Sequence, residues 1–280
     1  MKYTALLEAI TPVAHGDTSM LNNGSNTRIF MRQNTIVNDY PMHVPTVSEN
    51  ALRSVMVRTP IHDDLIQRLG IGEGELSQAV VNLLWAGGSM AAGSKAPAQA
   101  MEIGHNLKKT YPSLDLLGGA VDGFILPKSR LNLSAWLVCA ENRRALSYVA
   151  PETAETATIS AFDMIAEETR TRGTGSDSDG NQMVYTYETL TAGAQILVEF
   201  TLDPHTPDLT LSCLGAALAA WDGFIGGQGR QGRQGRGRMA IVSHDLPAPD
   251  AYHEYVATNT DVLRDGLKDG TFGSKTVLCA

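Results

Sequence analysis

The sequence predicts an α+β domain with an antiparallel sheet and inserted subdomains. Strand-like and helical patterns follow one another without strict alternation. Two β-rich runs, Gln182–Leu190 and Ala194–Leu202, are separated only by Thr191-Ala192-Gly193 and read as a hairpin. Polar, glycine-rich stretches interrupt the patterned segments, as insertions do. At 280 residues, 43% hydrophobic and 19% charged, the chain is long enough for one large domain with a real core.

Taken in order, Tyr3–Thr11 reads as a first strand, followed by a polar loop rich in turn formers. Arg28–Ile36 looks extended, with Arg28, Phe30, Arg32 and Asn34 on one face. Pro45 leads into a helix over Val47–Arg58, capped by Thr46 or Ser48 and stopped by Pro60. Leu76–Ala86 and Ala96–Lys109 are helical, joined by a small-residue link. A Gly/Pro-rich connection, Tyr111–Gly123, precedes an alternating run, Leu131–Cys139, that suits a strand. Ala161–Arg172 is polar and charged, and Gly173–Asn181 reads as a flexible linker. After the β-rich pair come a helix (Leu209–Trp221), a glycine loop, a strand (Met239–Ser243) and a last helix (Tyr252–Leu267).

Bulk chemistry narrows the function. The net charge of −8 and pI of about 5.3 exclude a general polycation, so any nucleic-acid surface must be local. Cys139, Cys213 and Cys279 are far apart and form no paired framework, which predicts reduced thiols and a cytoplasmic location. No signal-peptide layout or bilayer-length apolar run is present, so no membrane association is expected.

The stretch Trp221–Val242 is the most informative. It packs seven glycines and four arginines together with no acid after Asp222. Glycines let a ligand approach the main chain, and successive N–H groups form an anion site. Arg230, Arg233, Arg236 and Arg238 add forked cationic donors suited to phosphate. The bland alternative is a soluble arginine-rich linker. Gly227–Gly232 spells the dinucleotide fingerprint, but in a helix–loop–strand order that reverses the required dipole. Gly88–Lys95 imitates a phosphate loop with its lysine and serine swapped, and an inter-helix turn explains it better.

His62-Asp63-Asp64 and His244-Asp245 have metal-ligand chemistry without the further ligands a site needs. No nucleophile elbow is present and no cysteine has a local partner, so no catalytic residue, metal or cofactor is expected. His15-Gly16-Asp17 is either acid–base equipment or a turn whose polar pair satisfies loop N–H groups; the second is favoured. Arg28, Arg32, Arg53 and Arg58 either solvate a surface or line one groove.

The order of these pieces resembles the RAMP superfamily of CRISPR-associated proteins. Within it, the chain looks most like the repeated backbone subunit of class 1 effector complexes. The Pro-led helix matches at Ser48, Asn50, Leu52, Arg53 and Arg58. A strand pair ending in a glycine-then-apolar run matches at Gly193–Phe200, and the Gly-Gly…Gly-x-Gly-Arg loop at Gly226, Gly227, Gly235, Gly237 and Arg238. The resemblance covers residues 3 to about 243.

It implies one RRM-like (ferredoxin-like) palm with an antiparallel sheet. Helical fingers would occupy about 61–123, a β-hairpin thumb about 162–189 and the glycine loop 226–238. Copies would stack head to tail along a guide RNA, alongside other effector subunits, and present it to a complementary target nucleic acid. The implied RNA contacts are His15, Asn26, Arg28, Arg32, Ser48, Asn50, Arg53, Arg58, Gly226, Gly227, Arg230, Arg233, Arg236 and Arg238. Met183 and Tyr185 are the implied thumb wedges. Some relatives cut target RNA with a loop aspartate and a divalent metal. Here asparagines (Asn22, Asn23, Asn26) stand where that acid is expected and Asp17 is offset, so no cleavage is expected. The alternative within the superfamily is an endoribonuclease that processes CRISPR transcripts, with His15 or His43 in acid–base roles.

Overall fold

The computed structural model describes residues 1–16, 27–88, 97–121, 124–125, 128–172, 183–225 and 237–270. Strands are β1 (Lys2–Ala9), β2 (Thr27–Arg28), β3 (Arg32–Val37), β4 (Tyr40–Pro45), β5 (Ala120–Val121), β6 (Phe124–Ile125), β7 (Leu131–Leu137), β8 (Ile165–Arg172), β9 (Met183–Leu190), β10 (Gln195–Leu202) and β11 (Met239–His244). Helices are α1 (Glu49–Leu52), α2 (Thr59–Leu69), α3 (Gln78–Val81), α4 (Pro97–Thr110), α5 (Pro112–Leu117), α6 (Arg143–Val149), α7 (Pro151–Thr156), α8 (Asp208–Ala220), α9 (Asp250–Thr258) and α10 (Thr260–Lys268).

The α+β class holds. The principal sheet is antiparallel with order β11-β1-β10-β7. Along the chain its strands and intervening helices run strand–helix–strand–strand–helix–strand, with the other elements inserted between them. Alternation along the strands sends Ala5, Leu7, Ala9, Ile196, Val198, Phe200 and Leu202 to one face. That face meets α8, whose residues Thr210–Leu218 are all buried, so it is the central helix rather than an amphipathic one. On the opposite face Leu197 packs with Val138, Leu146, Ala154 and Ala157, so α6 and α7 cover part of it. At Gly215 a side-chain Cβ would collide with the carbonyl of Pro247, so only glycine lets the segment after β11 cross α8 there.

Five expectations are corrected. Residues 182–190 and 194–202 do not form a hairpin. β9 pairs with β8 and β2, whereas β10 joins the principal sheet. Leu190 bonds Val13 and Gly193 turns at φ +86°, so the chain changes sheets between two β-rich runs. The partner of β9 is Ile165–Arg172, whose polar composition fits a two-stranded arm with little core to face. Pro60 does not stop the first helix. Wide, i→i+5-bonded turns over Arg53–Arg58 lead directly into α2, and Thr59 N–H reaches back to Ser54 O. The widened turn takes the proline ring without the clash that a regular helix imposes. The connection Tyr111–Gly123 contains the buried helix α5, and the last helix breaks at Asn259 into α9 and α10. The single extended run Arg28–Ile36 is likewise split, and β3 instead forms a hairpin with β4 through Asn38-Asp39, both at positive φ.

Two buried polar centres tie these layers together. Asp115 on α5 accepts from Arg130 Nε at 2.6 Å and from Thr210 Oγ1 of α8 at 2.9 Å, and pairs with Lys108 of α4 at 3.3 Å. His62 on α2 is fully buried, 3.1 Å from Ser113 Oγ and edge-on to Trp85. Burial, and secondarily the Arg58 charge, lowers its pKa to about 3. Cys139 and Cys213 are buried free thiols, and Cys279 lies outside the described residues. Among the described residues no helix is long and apolar enough to cross a membrane.

Asp115→Ala leaves Lys108 and Arg130 facing a buried void; we expect a loss of about 3–5 kcal/mol in denaturant unfolding. His62 gives a pH signature. Its folded pKa lies below the unfolded value, so the unfolded chain takes the proton first. Stability therefore falls by about 1.4 kcal/mol per unit as pH drops below about 6.5. The dependence ends near the folded pKa of about 3. Unfolding curves between pH 7 and 5 should show that much slope removed in His62→Gln; an unchanged slope refutes the assignment.

Candidate nucleic-acid interface

The interface starts at the entry to α1. Ser48 caps the helix, its Oγ accepting from Ala51 N–H at 3.2 Å. Ser48 N–H in turn donates to His15 Nε2 at 3.1 Å. An acceptor Nε2 places the neutral ring's proton on Nδ1, and burial lowers the His15 pKa, which favours the same neutral form. The ring also packs edge-on against Phe30. His15 therefore positions the helix start.

Beyond the cap, Asn50, Arg53, Ser54 and Arg58 line a cleft of about 310 Å³. Its other wall is Leu117, Gly118, Gly119, Lys128 and Ser129, from the connection between α5 and β7. At about 3.6 residues per turn, positions five apart fall on different sides of an α-helix. The i→i+5 turns over Arg53–Arg58 bring these two arginines toward one side. Burial lowers the pKa of both, and the Arg53 charge adds to the effect at Arg58. Both remain guanidinium ions at neutral pH.

Their anchoring uses carbonyls and a hydroxyl. One Arg53 nitrogen donates to Leu117 O at 2.8 Å and to Ser129 Oγ. Arg58 donates to Leu84 O at 3.3 Å, and its guanidinium lies over Gly87, where a Cβ would stand 3.4 Å away. Among the described residues no carboxylate lines the cleft. Three acids of the surrounding helices are engaged elsewhere: Asp63 with Trp85 Nε1, Asp64 with Arg68, and Asp115 with Arg130 and Lys108. Three fixed positive charges thus face a concavity without counter-ions among the described residues. Such a site suits a phosphodiester. Among the described residues no aromatic ring lines it.

A second grouping surrounds the segment after β1. Ile10 and Thr11 N–H groups donate to Arg238 O, Gly237 N–H donates to Pro12 O, and Val13 exchanges bonds with Leu190. Gly237 (φ +77°) bonds Ile225 across the base of the glycine loop, and Arg238, facing Phe224 there, is exposed. This segment places the glycine-loop base, the start of the β8–β9 arm and the His15 cap side by side.

The remaining expected contacts divide. Arg32 forms an ion pair with Glu188 of β9 at 2.7 Å, and Glu188 also accepts from Phe30 N–H at 2.8 Å. Arg32 thus latches the arm to the chain before β3. Arg28 lies in β2, paired with Tyr187. Met183 and Tyr185 lie in β9, opposite Arg172 and Arg170. Asp17, Asn22, Asn23, Asn26, Gly226, Gly227, Arg230, Arg233, Gly235 and Arg236 lie outside the described residues, as do the Gly173–Asn181 stretch and residues 89–95 of the phosphate-loop look-alike. The metal-ligand candidates diverge: His62 turns inward to Ser113, Asp63 to Trp85, and His244 Nδ1 accepts from Leu246 N–H.

Sequence reasoning missed Ser54, Gly118, Gly119, Lys128 and Ser129. Ser54 stands four residues after Asn50, a helical spacing that was readable. Lys128 and Ser129 are some seventy residues away and reach the cleft only through the fold.

No family model matches the chain, and no curated protein does. Among solved structures, a chain described as "Type IV-B CRISPR Complex" superposes with a TM-score of 0.60 at 17% identity, over 90% of this chain and 96% of that one. The two chains share a fold.

Proposed function

We propose that this protein is the backbone subunit of a CRISPR ribonucleoprotein effector, oligomerising head to tail along the guide RNA and presenting it for target pairing. The cleft of Asn50, Arg53, Ser54, Arg58 and Lys128 carries the reading. It is cationic within an acidic protein, and it sits on the helix that the family resemblance singles out. The shared fold with a chain of a CRISPR complex supports the same reading.

In this reading the principal sheet is the RRM-like palm and the β8–β9 arm is the thumb, with Met183 and Tyr185 toward its tip. The helices from α2 to α5 are the fingers, and Arg238 with the glycine loop forms a second phosphate contact. Phosphate-directed contacts suit a subunit that must accept any guide sequence. Head-to-tail contacts build an open filament, which matches a linear ligand. Other effector subunits and the complementary target strand complete the assembly, which works in the cytoplasm. Of the acid–base candidates of the endoribonuclease alternative, His15 accepts the Ser48 N–H with Nε2 and His43 lies in β4 opposite Asn34, neither of them among the residues that line the cleft.

The test is filter binding or fluorescence anisotropy with unrelated single-stranded RNAs across a salt series. Arg58→Ala and Lys128→Ala should each weaken binding equally for all sequences. Each should also flatten the log–log salt dependence by about 0.7 per lost phosphate contact. An effect confined to one base identity contradicts the reading. The subunit is further proposed to cut nothing. Assembled complex incubated with magnesium and complementary RNA should leave that RNA intact, and cleavage abolished by Asp17→Ala overturns this.

A further inference from the structure

Phosphate is common to RNA and DNA, so the cations of the cleft cannot tell the two apart. The same cleft carries a second, uncharged row. Asn50 and Ser54 stand four residues apart, on neighbouring turns of one helix side. Asn50 is exposed and Ser54 partly so, and among the described residues neither side chain has a hydrogen-bond partner. Ser129, the third neutral polar group, is fully engaged: it accepts from Leu131 N–H and Arg53 and donates to Leu116 O or Leu131 O. Two unengaged neutral groups therefore lie beside two aligned guanidinium groups.

A sugar–phosphate strand offers matching alternation. Each phosphate is followed by a ribose whose 2′-hydroxyl both donates and accepts. The Asn50 amide does both, and the Ser54 hydroxyl does both. The described lining is polar, cationic and glycine-rich, which suits sugar and phosphate groups.

We infer that Asn50 and Ser54 make this cleft selective for ribose over deoxyribose, reading the 2′-hydroxyl of the strand whose phosphates Arg58 and Lys128 hold. The inference rests on the RNA-binding reading above and adds to it the class of strand accepted. One or two uncharged hydrogen bonds amount to roughly a tenfold preference for RNA over DNA of the same sequence.

The full-length protein is titrated with three single strands of one sequence: RNA, DNA and 2′-fluoro RNA, which keeps the RNA sugar pucker but lacks the hydroxyl donor. RNA should bind roughly tenfold tighter than the other two, with equal salt slopes for all three. Asn50→Ala with Ser54→Ala should bring the RNA/DNA ratio toward one and leave the salt slope unchanged. Arg58→Ala should lower the slope and keep the ratio. Equal affinity of wild type for RNA and DNA overturns the inference while leaving the RNA-binding reading standing. So does 2′-fluoro RNA binding as well as RNA, since shape and not the hydroxyl is then read. Absence of any salt-dependent affinity for the three strands defeats the RNA-binding reading itself. The ligand series uses unaltered protein, so a misfolded variant cannot decide the outcome.

Discussion

The Asp115 carboxylate holds the architecture of the site. It lies on a six-residue helix too short to stand alone, and it gathers Arg130, Lys108 and Thr210 from three other elements. A buried carboxylate with two cations and a hydroxyl satisfies its oxygens, whereas an unpartnered one would be costly. This arrangement fixes the end of α5 at Leu117, and Leu117 O and Ser129 in turn hold Arg53. It has an electrostatic consequence as well. Asp115 is saturated by its own cations, so Arg53 and Arg58 keep their charge without an ion-pair partner among the described residues.

The segment after β1 performs the corresponding task for the loops. Its backbone groups are shared among the glycine-loop base, the base of the arm and the residues before β3. Glu188 adds a charged latch between the arm and the Phe30–Arg32 stretch. These contacts fix the base of the arm against the rest of the domain. His15, between these pieces, remains neutral and caps the helix that leads into the cleft.

Local positive charge on an acidic protein is thereby explained by packing. The net charge of −8 is spread over the molecule, while the cleft draws cations from a helix and from a connection seventy residues later. The i→i+5 turns are central to this. They turn Arg58 toward Arg53 and carry the helix past Pro60, so one backbone irregularity aligns the cations and prolongs the element that bears them.

Much of this was legible in the chain. The strands at both ends of the domain, the central apolar helix and the Ser48 cap follow from periodicity and local hydrogen bonding, which act over a few residues. Asn50, Arg53 and Arg58 were recognisable as one helix's polar positions. The sheet to which β9 belongs was not, because a β-rich run pairs equally well with either neighbour and long-range register decides. Nor were the widening of the helix at Arg53–Arg58, the engagement of Arg32 by Glu188, or the arrival of Lys128 and Ser129. By itself, the sequence determined which segments are helical or extended and where cations are available. Only the tertiary structure decided which cations remain unpaired and face one cleft, because that depends on acids and carbonyls brought from distant parts of the chain.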